Sequence, residues 1–221
     1  HQYQLKFSFG SCGNRPGNFN YPCGGVAVSE KTGTIAISDY SKKEFNSNWN
    51  YPNETRLGSS CSSVSFAESD QIIAATPHDV SKICLFAKEG KFVQHINSKH
   101  LQCPSHISIG KDDSIISSDP INHVFEVISP DGTKLLKRFR ASEHHDSIKC
   151  AIYHEQKFFV SDCKAYRVGV YDEDGMLVYN IGCEGSILML TLVTMLPLTI
   201  IQVRCQCAGC YFTFPAIRSE E

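Results

Sequence analysis

No stretch of this sequence shows a 3.6-residue apolar period over ten or more residues, which excludes stacked helix pairs as its architecture. Gly-x-Ser-x-Gly, the phosphate loop and His-Glu-x-x-His are all absent, so the usual signatures of serine hydrolases, nucleotide enzymes and zinc proteases fail. An excess of basic charge is lacking too: 21 Lys plus Arg stand against 23 Asp plus Glu, for a net charge of −2. That excludes a strongly basic nucleic-acid module, and any contact with phosphates must come from a local patch. No charged-then-apolar leader follows His1, so no secretory signal is visible and the chain reads as a piece of something longer.

Close-set cysteine pairs are missing from most of the chain. There are 11 cysteines, an odd number, and the first eight (Cys12 to Cys183) are scattered singly. Disulfide frameworks belong to much shorter secreted chains, so these thiols read as reduced, small apolar residues of a core. Asn53-Glu54-Thr55 fits a glycosylation acceptor but carries little weight.

What is present is repetition. Ile35-Ala36-Ile37-Ser38-Asp39, Ile72-Ile73-Ala74-Ala75-Thr76-Pro77, Ile115-Ile116-Ser117-Ser118-Asp119 and Phe158-Phe159-Val160-Ser161-Asp162 resemble one another. Their last positions, 39, 77, 119 and 162, are spaced by 38, 42 and 43 residues. Before each lies a short apolar run such as Val26-Ala27-Val28 or Ile107-Ser108-Ile109, and after it an alternating run such as Val124-Phe125-Glu126-Val127-Ile128. Turns rich in Gly and acidic residues, Lys88-Glu89-Gly90, Pro130-Asp131-Gly132 and Glu173-Asp174-Gly175, then lead to a fourth run. Asp-Gly between apolar runs is a strong hairpin signal. Four antiparallel strands per period of about 40 residues predict an all-β chain of β-propeller blades. The units fall at about residues 7–59, 60–97, 98–140 and 141–182, within a partial propeller over 1–186.

The residues also resemble a known family. Phe7-Ser8-Phe9-Gly10, Gly17-Asn18-Phe19, Tyr21-Pro22, Gly25-Val26-Ala27-Val28 and Ile35 to Asp39 are similar to the opening of an NHL repeat. Asp119-Pro120-Ile121-Asn122-His123 and the pair Asp162 and Arg167 continue the likeness. Within that family the lead-in is similar to the C-terminal propeller of the tripartite-motif (TRIM-NHL) proteins. The resemblance implies six blades, four of them recognisable here, and a cytoplasmic RING-type ubiquitin ligase parent that oligomerises through an upstream coiled coil. Two departures stand out: Thr76-Pro77 where an Asp is expected, and Lys43 to Trp49 in place of an alternating third strand.

Residues 187–221 break the pattern. The charge-free run 187–201 is just short of the ~20 residues that span a bilayer, with Pro197 inside it. It reads as an aberrant C-terminus outside the propeller, with a membrane anchor as the alternative and no stable membrane association expected. Cys205, Cys207 and Cys210 offer three thiolates, but zinc-like spacing lacks a fourth ligand.

The functional expectation is a non-enzymatic recognition propeller, with an RNA hairpin or a protein as partner and no cofactor or metal. Lys42, Lys43, Lys82, Lys164 and Arg167 follow the second strand of their units and would form a basic ring on one face, with Tyr40 and Tyr166 adding stacking. The denser cluster Lys134, Lys137, Arg138 and Arg140 reads as a solvated outer strand, with Leu136 and Phe139 turned inward. The alternative is a metal-dependent propeller enzyme of lactonase or lyase type that recruits His78, Asp79, His106 and His123. Asp39, Asp119 and Asp162 recur at one repeat position, and recurrence favours a turn-capping role for them.

Overall fold

The structure is a computed structural model that describes residues 10–13, 15, 18–21, 25–39, 44–47, 54–56, 61–69, 71–76, 82–88, 90–96, 101–141, 148–181, 202–204 and 211–213. Sixteen strands form four antiparallel sheets of four, each a meander in which sequence order is spatial order. Blade 1 holds β1 (Gly25–Val28), β2 (Ile35–Asp39), β3 (Glu44–Ser47) and β4 (Glu54–Arg56). Blade 2 holds β5 (Ser63–Phe66), β6 (Ile72–Thr76), β7 (Lys82–Phe86) and β8 (Phe92–Ile96). Blade 3 holds β9 (His106–Ile109), β10 (Ile115–Asp119), β11 (Val124–Ile128) and β12 (Leu135–Arg140). Blade 4 holds β13 (Ile148–His154), β14 (Lys157–Asp162), β15 (Arg167–Tyr171) and β16 (Leu177–Ile181). A separate antiparallel pair, β17 (Gln202–Arg204) and β18 (Tyr211–Thr213), lies in the tail.

The first strands β1, β5, β9 and β13 pack side by side in that order, so they form the inner wall and the fourth strands form the rim. No comparable packing joins β13 back to β1 among the described residues. Each blade starts its inner strand at one end, here the upper end. The turns between second and third strands return there, while the other two turns of each blade lie at the lower end.

Register refines the repeat. Gly25 pairs with Ser38, Ser63 with Ala75 and His106 with Ser118, so Thr76, not Pro77, stands at the position of Asp39 and Asp119. The first blade also keeps its third strand, because Glu44–Ser47 pairs with β2 on one side and with β4 on the other.

The core lies in the seams between blades, since one four-stranded sheet cannot bury both of its faces alone. Ala36, Cys61, Val64, Cys84 and Phe86 fill the seam between blades 1 and 2. Ile83, Leu85, Ile96, Ile107, Ile115 and Ile128 fill the next. The seam between blades 3 and 4 is aromatic: the Phe125 ring centroid lies 4.9 Å from Phe139, 5.2 Å from Phe158 and 6.1 Å from Tyr171.

One inward assignment fails. Positions 136 and 139 are an odd number of residues apart in one strand and so face opposite sides of the sheet: Phe139 packs into the seam as expected, while Leu136 is turned away from it and is 52% exposed. Nor is the basic rim simply solvated. Lys137 Nζ donates to the Glu173 carbonyl of blade 4, and Arg138 lies 3.3 Å from the fully buried Glu126 carboxylate.

Candidate functional site at the upper end

The recurring aspartates build the upper end. Asp39 accepts the backbone N–H groups of Asn20 (2.6 Å) and Tyr21 (3.1 Å) from the lead-in to its blade. Asp119 accepts those of Gln102 (2.6 Å) and Cys103 (3.3 Å) from its lead-in, and also those of Ile121 (3.0 Å) and Asn122 (3.1 Å) from the following turn. Asp162 accepts the Ala165 N–H (3.1 Å), and its other oxygen lies 3.7 Å from Arg167. Each carboxylate thus satisfies amides that neither strand ladder can reach. The turns end in His123 and Tyr166, both left-handed at φ 60° and 51°.

Contacts between blades occur at one repeat period. Ser62 Oγ donates to the Ser105 carbonyl (2.8 Å), and Ser108 Oγ to the Ala151 carbonyl (2.6 Å). Cys150 Sγ meets His106 Nε2 at 3.3 Å, which ties β13 to β9. His106 Nδ1 is sealed from solvent without a hydrogen-bond partner. Burial lowers the His106 imidazole to about 4 and raises the Cys150 thiol to about 12. Burial likewise raises the Cys61 thiol to about 12, and that thiol donates to the Ser63 carbonyl. Both thiols are therefore protonated at neutral pH and are poor nucleophiles. The partners His106 and Cys150 are 44 residues apart, so the period itself carried the signal for this pair.

Of the expected binding residues, Lys82, Lys164, Tyr166 and Arg167 are described, whereas Tyr40, Lys42 and Lys43 lie outside the described residues. Lys82 and Arg167 open the third strands of blades 2 and 4 at equivalent positions, and blade 3 has Val124 there. Lys164 and Tyr166 are exposed in the blade 4 turn, and Arg167 is partly engaged by Asp162. The structure places these groups at the same end of the blades.

His78 and Asp79 also lie outside the described residues. No three His, Cys, Asp or Glu side chains assemble into a metal site among the described residues. No helix of the described residues is long and apolar enough to cross a membrane, and the 187–201 run and Cys205 to Cys210 lie outside them.

No protein-family model matches the chain. No curated protein matches it either. Solved structures do. Virginiamycin B lyase from Staphylococcus aureus is 15% identical, with a TM-score of 0.61 over 75% of this chain and 58% of its own. A catalytically inactive histidine-to-alanine form of that lyase with quinupristin gives 14%, 0.59 and the coverages 75% and 58%. A nidogen/laminin complex gives 11% identity and a TM-score of 0.63 over 71% of this chain and 62% of its own. At these identities the likeness shows the fold: an all-β, multi-bladed architecture related to that of the B lyases. The chain spans less than two thirds of the length of these relatives.

The comparisons correct the functional expectation. The relation of this arc to characterised lyases overturns the reading of a non-enzymatic, RNA- or protein-selecting tripartite-motif propeller with a ubiquitin ligase parent. The NHL assignment reduces to the coarser multi-bladed fold. Lead-in and strand motifs report how a blade is built, and blades of one construction serve unrelated chemistries.

Proposed function

We propose that this chain carries a large part of a propeller enzyme of the lyase type, acting on a substrate held at the upper end. The observation that carries this reading is the match of the four-bladed arc to virginiamycin B lyase over three quarters of the chain. A lyase breaks a bond by removing a proton and expelling a leaving group, with no water consumed. Such an elimination needs a base, and a cation where negative charge develops.

His106 is sealed in a seam and bonded to Cys150, so it does not reach a substrate. His123, in the blade 3 turn at the upper end, is the proton acceptor in this reading. Lys164 faces the oxygen on which charge builds, and Tyr166 provides an apolar and hydrogen-bonding wall. Arg167 braces that turn through Asp162.

Quinupristin, the compound held by the inactive lyase, is the first probe. Incubation with the full chain should convert it with no change in total mass, to products whose masses sum to that of the substrate or, where the bond broken lies in a ring, to a single isomer that chromatography separates from it. His123→Ala should abolish conversion, and Lys164→Ala should lower kcat more than it raises KM. Products that sum to substrate plus one water would mean hydrolysis. Intact quinupristin, or full activity in His123→Ala, would overturn the assignment.

A further inference from the structure

At the lower rim, one device joins blade 2 to blade 3 and again blade 3 to blade 4. In the first joint, Gln94 Nε2 donates to the Asp131 carbonyl at 2.9 Å. Two residues on, Ile96 fills the space above Gly132, where a Cβ would fall 2.5 Å from the Ile96 side chain. In the second joint, Lys137 Nζ donates to the Glu173 carbonyl, and Phe139 covers Gly175 so closely that a Cβ there would enter its ring. Both glycines are left-handed, at φ 70° and 78°. Each joint therefore has a donor and a knob on the outer strand of one blade, and a carbonyl and a bare glycine on the turn of the next.

Register locates the same donor and knob in blade 4. Leu85 pairs with Gln94, Val127 with Lys137 and Val170 with Tyr179. Ile83 pairs with Ile96, Phe125 with Phe139 and Val168 with Ile181. Tyr179 and Ile181 are thus the fourth blade's donor and knob, and they are 47% and 43% exposed.

We propose that the far side of blade 4 is a docking surface for a further unit of the same repeat. The glycine in that unit's third-to-fourth-strand turn receives Ile181, and a carbonyl one or two residues before it, as Asp131 stands to Gly132 and Glu173 to Gly175, accepts the Tyr179 hydroxyl. The claim rests on continuity with two established joints and is independent of the catalytic reading. It also excludes one occupant. The turn between β3 and β4 contains no glycine between Glu44 and Arg56, so blade 1 of a second copy lacks the receiving half.

The test inserts a copy of residues 141–182 between Gly182 and Cys183 of the full chain. The copy carries Phe at the place of its own Tyr179, so that tyrosine acetylation reports the native residue. The expected result is slower acetylation of Tyr179 and a higher thermal midpoint. Valine in place of the inserted unit's turn glycine should reverse both. Unchanged acetylation, a harmless valine or failure of the inserted chain to fold would each overturn the proposal. In the unaltered chain, Ile181→Glu should leave the midpoint in place, whereas Phe139→Glu should unfold blades 3 and 4. A concentration-dependent dimer that Ile181→Glu abolishes would overturn the proposal in favour of a second copy.

Discussion

The seam between blades 2 and 3 is packed with Ile83, Leu85, Ile96, Ile107, Ile115 and Ile128, and the seam between blades 3 and 4 with Phe125, Phe139, Phe158 and Tyr171. The backbones on which these sets sit are equivalent, strand for strand. Even the polar cross-strand position facing the preceding blade differs: Cys84 with His95 in blade 2, Glu126 with Arg138 in blade 3, Gly169 with Asn180 in blade 4. What the seams share is the turn glycine with its knob and the hydrogen bonds one period apart. The repeat therefore preserves the joints, while the volume between them is filled by whichever apolar side chains fit.

The aromatic seam should be the more vulnerable to a single truncation. Phe125 is fully buried and meets three other rings, so Phe125→Ala should cost about 4 kcal/mol in chemical denaturation. Ile83→Val in the aliphatic seam should cost about 1 kcal/mol. Equal losses would mean that the ring cluster is not the centre of that seam.

A pH titration should separate the seams next. His106 crosses between blades 3 and 4, and burial holds it at about 4 against 6.5 for a free imidazole. Between those values the unfolded chain takes up a proton that the folded chain does not. Stability should thus fall as pH drops through that window and level off below it, by up to about 3 kcal/mol. His106→Leu should flatten this limb relative to the parent; an unchanged slope would show that the imidazole titrates freely.

Smaller again is the contrast between two aspartates. Asp119 accepts four backbone N–H groups, and Asp162 accepts one among the described residues. Asp119→Ala should cost about 2 kcal/mol and Asp162→Ala about half that. The reverse order would mean that the Arg167 pair dominates at blade 4.

Strand number, strand order and the capping role of the aspartates were legible in the sequence, because pairs such as Asp131-Gly132 sit between apolar runs at a fixed period. Two details were not. The equivalence of Thr76 with Asp39 needed the strand register, since Pro77 sits where the eye aligns an anchor. The exposure of Leu135 and Leu136, 42% and 52%, was the second, since alternation puts Leu136 opposite Phe139 but does not say whether a neighbouring blade covers either face. The candidate site was legible only as a set of basic turns. His106 and Cys150 come together through stacking of separate units, so neither local motif announced the pair. A propeller enzyme of lyase type stood in the sequence only as the alternative, because the motifs that resemble a recognition family describe blade construction rather than chemistry.

The joint that links blades is tested most directly by two alanines. Gly33 and Gly175 are both left-handed, at φ 67° and 78°, so alanine strains the backbone about equally at each, by about 1 kcal/mol. A Cβ at Gly33 meets open space, whereas one at Gly175 meets the Phe139 ring of the preceding blade. The difference in unfolding free energy between Gly175→Ala and Gly33→Ala therefore isolates the joint. It should be about 2 kcal/mol, with Gly175→Ala the less stable. Equal stabilities would contradict a knob seated on the turn glycine.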